Sequence, residues 1–95
     1  MPAHDEIQIE FFGVARHRTQ VASAVIPVGP EGLSVPQLWN VLSERFPLLL
    51  AGLDATMEPA VLYSLNLDGQ RFLDRQPATI LPGQTVLVLS ADAGG

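Results

Sequence analysis

A chain of 95 residues is long enough for one small domain with a modest core, and too short for two. An apolar share of 47% against 16% charged residues is that of a globular protein, and the absence of cysteine excludes disulfides, thiolate metal sites and a cysteine nucleophile. Five arginines, no lysine and ten carboxylates give a net charge of −5, which argues against a phosphate backbone as partner and for a basic docking surface on a protein.

Other classes fall away on similar grounds. No stretch approaches the roughly 18 apolar residues of a membrane span. The opening Met1-Pro2-Ala3-His4-Asp5-Glu6 has neither the basic nor the apolar region of a signal peptide, so a cytoplasmic location is expected. With only His4 and His17 as imidazoles, no metal site is expected. Without lysine the chain cannot receive an isopeptide bond on a side chain of its own.

In chain order, residues 1–5 are expected to form a loose leader. From Glu6 the sequence alternates, Ile7, Ile9 and Phe11 on one face and Gln8, Glu10 and Phe12 on the other, which predicts a half-buried strand ended by Gly13. Val14 to Gln20 is polar and carries Arg16, His17 and Arg18; it reads as a connecting loop. Val21 to Val28 resumes strand character, and Pro27, lacking an N–H, suits an edge or a strand end. Gly29-Pro30-Glu31-Gly32 is turn punctuation.

Ser34-Val35-Pro36-Gln37 then opens a helix. Ser34 can accept from a free backbone N–H, Gln37 can reach back as a capping box, and Pro36 sits where its missing donor costs nothing. Leu38, Val41, Leu42 and Phe46 follow helical spacing, and Pro47 ends the helix. Leu48 to Leu53 is apolar and short, a helical turn over the core or a hydrophobic loop. Ala60 to Asn66 reads as a central strand, Asp68-Gly69 as a turn, Arg71 to Leu73 as a brief partner strand, and Leu81-Pro82-Gly83-Gln84 as a second turn. Thr85 to Ser90 is the last strand, with Val86 and Val88 opposite Leu87 and Leu89. The order implies an α+β domain in which the first and last strands pair in parallel and the helix crosses one face.

That last strand runs directly into Ala91-Asp92-Ala93-Gly94-Gly95. Residues without a Cβ give a narrow tail that can enter channels closed to other side chains and present a carboxylate there. Three pieces of the chain together resemble the small sulfur carriers of the ubiquitin-like β-grasp fold, the family of the molybdopterin synthase small subunit (MoaD) and the thiamin-pathway carrier (ThiS). They are the opening Ile7-Gln8-Ile9-Glu10-Phe11-Phe12-Gly13-Val14-Ala15-Arg16, the segment Ser64-Leu65-Asn66-Leu67-Asp68-Gly69, and Leu81-Pro82-Gly83-Gln84-Thr85-Val86 with Ala93-Gly94-Gly95. Gln84 stands where the family's turn usually carries an acidic residue. The aromatics and prolines common before the terminus of the molybdopterin branch are replaced by Leu87-Val88-Leu89-Ser90-Ala91-Asp92. These departures bear on the pathway rather than on membership.

The resemblance implies a single β-grasp domain over residues 1–95, a mixed sheet of four to five strands packed on one main helix, with 91–95 as a flexible tail. It implies a carrier rather than an enzyme. A ubiquitin-activating-type adenylating partner would spend ATP on the Gly95 carboxylate, a sulfurtransferase would convert the adenylate to a thiocarboxylate, and a large synthase subunit or equivalent acceptor would take the sulfur. No cofactor would be held permanently. Gly95 would carry the reacting atom and Gly94 would keep the approach narrow, while Phe12, Phe72, Leu87 and Leu89 would form the docking patch. Arg16, Arg18, Arg71 and Arg75 are assigned to solvated surface and Trp39 is given no role. Molybdopterin is the first pathway, with thiamin or another sulfur-containing metabolite second. A ubiquitin-like protein modifier and a plain interaction domain are the readings from other classes.

Overall fold

A computed structural model describes residues 5–54, 56–73 and 78–91. The alternation at the N-terminus produces β1 (Glu6–Phe11), with Ile7, Ile9 and Phe11 buried and the intervening residues half-exposed. β2 (Ser23–Pro27) returns antiparallel to it, pairing Ile7 with Ile26 and Gln8 with Val25. Between them lies α1 (Gly13–Thr19), where a loop is expected from the sequence. Its polar composition hides a narrow stripe: only Ala15 and Thr19, four residues apart, are buried, too little apolar signal to register as helical periodicity.

The main helix follows its signals. β3 (Leu33–Ser34) leads into α2 (Val35–Arg45), where the Gln37 N–H donates to Ser34 Oγ at 3.2 Å and the Ser34 N–H to Gln37 Oε1 at 2.8 Å. This reciprocal pair satisfies two of the donors that a helix start leaves open. Leu38, Trp39 and Leu42 bury one stripe of the helix. Trp39 is in the core, at 7% exposure, stacked on Tyr63 with ring centroids 5.6 Å apart.

Leu48 to Leu53 forms successive turns, with Leu49 in the core and Leu48 largely exposed. A 3-10 turn over Pro59–Val61 occupies the start of the expected third strand, so that β4 (Tyr63–Leu67) begins later than the β-branched residues suggest. Pro59 sets this turn, and Val61 is thrown out to solvent. β5 (Arg71–Phe72), β6 (Thr79–Ile80) and β7 (Thr85–Ser90) complete the elements. β3 and β6 pair as a separate ribbon; at two residues each, neither has the length to show period two.

Among the described residues the main sheet has five strands in the order β2-β1-β7-β4-β5. β7 is central, parallel to β1 and antiparallel to β4. One face of the sheet carries Ile7, Ile9, Phe11, Ile26, Tyr63, Leu65, Val86 and Val88 against Leu38, Trp39, Leu42 and Leu49. Burying each such side chain contributes roughly 1.5–3 kcal/mol. Phe11 meets Phe46 edge-on at 5.3 Å, closing the core at the helix C-terminus. Arg18, assigned to solvated surface above, instead holds α1 to the 48–53 turns: its Nη1 donates to the carbonyls of Ala51 (2.6 Å) and Leu49 (3.3 Å). The Tyr63 hydroxyl donates to the same Leu49 carbonyl from the other side.

Two outcomes follow from this packing. Gly32 has φ +73, and a Cβ there would lie 2.2 Å from the backbone oxygen of Ile80. Gly32→Ala is expected to cost about 3 kcal/mol, from left-handed strain plus a clash that no rotamer relieves, read as a lowered urea midpoint. Burial pushes the Tyr63 phenol above its ordinary 10.0, against the opposing pull of Arg18. A raised folded pKa contributes stability in full below about pH 10 and loses it as pH climbs through the folded value. Thermal melts should therefore decline on the alkaline side more steeply in the parent chain than in Tyr63→Phe.

Candidate functional site

The sheet's outer face is set by the same register that fills the core. Glu10 lies beside Leu87 on β7, Leu87 opposite Asn66 on β4, and Asn66 opposite Phe72 on β5. Residues paired across strands share a face, so these four form one row. Leu89 pairs with Ser64 in the next row. Phe12 continues β1 into that row: its backbone is extended, and its N–H donates to Val88 C=O at 3.0 Å. The sequence-derived patch of Phe12, Phe72, Leu87 and Leu89 is thus brought together on one open face. Phe12 and Phe72 are 41% and 55% exposed, and the two leucines are half-buried.

Within this strip lies a polar group the sequence reading left without a role at the site. Asn66 is only 7% exposed, and its Oδ1 has no hydrogen-bond partner among the described residues. A buried amide acceptor left unpaired costs about 1–3 kcal/mol. The signal available in the sequence was the pair Ser64 and Asn66, polar residues at alternate positions in a strand otherwise apolar.

The end of β7 is held from both sides. On one side Ser90 Oγ accepts from the Val14 N–H at 3.3 Å, at the start of α1, which packs on β7. On the other, the Ala91 N–H donates to Leu62 C=O at 2.9 Å. Gly13 makes the first contact possible: its φ is +57, and a Cβ would sit 2.8 Å from Ser90 Oγ. The helix absent from the sequence reading is therefore the element that fixes where the chain leaves the sheet. Asp5 and Ala91, assigned by sequence to the leader and the tail, each make a strand-like backbone hydrogen bond, Asp5 C=O to Val28 N–H at 2.9 Å. Gly94, Gly95 and Arg75 lie outside the described residues.

Exposed Arg16 and Arg71 stand where surface residues were expected. Among the described residues there is no group of three or more metal-ligating side chains, and no helix is long and apolar enough to cross a membrane.

No family model matches the chain, and no curated protein matches it. Among solved structures, the solution structure of the Haloferax volcanii HVO 2177 protein matches with a TM-score of 0.71 at 22% identity, over 95% of this chain and 86% of that one. The likeness is one of fold. The chain is an α+β protein of the ubiquitin-like β-grasp type, with its mixed sheet packed against the helices.

Replacing Asn66 by leucine removes the unpaired acceptor while keeping the branched shape of the side chain. Asn66→Leu is expected to raise the unfolding free energy by about 1 kcal/mol in urea denaturation; a loss of stability would show that the amide is satisfied in the folded protein.

Proposed function

We propose that this chain is a sulfur carrier whose Gly95 carboxylate is adenylated by a partner enzyme and converted to a thiocarboxylate. The observation that carries the reading is the position of the β7 end: a central strand, held at Ser90 and Ala91, that stops beside an exposed face carrying Phe12, Leu87 and Leu89, with Asp92-Ala93-Gly94-Gly95 next in the sequence. A carboxylate is ionised at neutral pH and is a poor electrophile. Joining it to AMP, with loss of pyrophosphate from ATP, supplies a leaving group, and hydrosulfide supplied by a second partner displaces the AMP, loses its proton and leaves the thiocarboxylate on Gly95. The sulfur then passes to a precursor held by an acceptor enzyme. On this reading the chain supplies geometry and docking, and its partners supply the acid, base and nucleophile.

Phe12, Leu87, Leu89 and Phe72 form the docking strip. The acidic charge of the chain steers it to basic surfaces before the apolar contact forms. Molybdopterin synthesis is the pathway the sequence resemblance favours, with the chain as the small synthase subunit.

Intact-mass measurement on the protein isolated from its native cells tests the reading. The expected product has one terminal oxygen replaced by sulfur; conjugates of higher mass would instead mark a protein modifier, and an unmodified chain under sulfur-replete growth would overturn both. Gly94→Ala should lower the sulfur-bearing fraction at least tenfold while leaving the melting temperature unchanged. Leu89→Glu should weaken capture of the adenylating partner by about tenfold or more, the cost of losing one central apolar contact and burying a charge.

A further inference from the structure

β2 stands at one edge of the main sheet, and its hydrogen-bond phase determines what that edge offers. The Val28 N–H donates to Asp5 C=O and the Phe11 N–H to Ala22 C=O, at 2.9 and 2.8 Å. In the β1–β2 register, residues 22, 24, 26 and 28 therefore turn their backbone groups toward β1. Ser23, Val25 and Pro27 turn theirs outward. Pro27 has no N–H to offer, and the outward carbonyl of Val25 accepts from Arg45 Nη1 at 2.6 Å. Arg45 is the last residue of α2, so a side chain from the helix layer reaches the sheet edge and occupies its middle acceptor.

A second copy of this chain can pair with that edge in a self-complementary way. Two antiparallel β2 strands centred on Val25 would exchange Val25 N–H and C=O with each other. Each Ser23 N–H would also meet the partner's Pro27 carbonyl. The side chain of Val25, 39% exposed on the outer face, would pack against its own copy. Both central bonds need the carbonyl that Arg45 holds. We propose that the β2 edge is a latent strand-pairing surface for a second copy of this chain, and that Arg45 keeps it closed. Open edges with free backbone groups are where sheets add strands, and a cation placed on the edge is one of the ways proteins prevent it. This inference is independent of the sulfur-carrier reading.

Sedimentation equilibrium over a wide concentration range tests it. The parent chain should show the mass of one copy throughout. Arg45→Met, which keeps the aliphatic stem and removes the donors, should dimerise with a dissociation constant at least about tenfold lower than any self-association of the parent. Arg45→Met combined with Val25→Pro should return to one copy, because proline removes the outward N–H together with the valine side chain that would pack on the copy. Should Arg45→Met fail to fold, Arg45→Gln takes its place. The proposal is overturned if the folded Arg45 variant keeps the mass of the parent, or if its dimer survives Val25→Pro. Slow amide exchange at Ser23 and Val25 in the parent chain would equally overturn it, since those amides would then already be paired.

Discussion

The parallel pairing of β1 with β7 is the constraint from which the rest of the molecule follows. Parallel neighbours cannot be joined by a tight turn; the chain between them must cross from one end of the sheet to the other. Here nearly the whole sequence serves as that connection, with α2 laid over one face. The arrangement makes the last strand central, flanked by β1 and β4, with Val86 and Val88 completely buried. A strand so placed has little freedom at its end. The hydrogen bonds of Ser90 and Ala91 to α1 and to Leu62 extend that order to the point of departure.

Most of this frame was legible in the residues, because strong local signals agreed with the global fold. Alternation named the core face of β1 and β7 residue by residue, and the Ser34–Gln37 box with Pro36 and Pro47 gave α2 its bounds. The failures share a physical cause. α1 is stabilised by a few long-range contacts, Ser90 Oγ at its start and the Arg18 bonds to Leu49 and Ala51, none of which is written in its own composition. β3 and β6 exist only because they face each other. Trp39 was given no role because its stacking partner, Tyr63, lies on a strand distant in sequence. At the candidate site, alternation did identify the residues that share the outer face. It could not show that Asn66 would be covered without being hydrogen-bonded, since that depends on both neighbouring strands.

The outer face and the β2 edge set opposing requirements. Exposed apolar side chains such as Phe12 and Phe72 on the outer face invite self-association, and an acidic chain of this size has limited means to prevent it. Net repulsion between copies acts at long range and weakens with salt. It does not discriminate between the strip and the edge. A guard at the edge does discriminate: Arg45 and Pro27 remove backbone pairing, the geometrically specific route to a dimer, and leave the side chains of the open face untouched. The same residue also ties the sheet edge to α2, so closing the edge and stiffening the layer packing are one contact. Loss of that contact would therefore do both at once, loosening α2 on the sheet edge and freeing the Val25 carbonyl for a second copy.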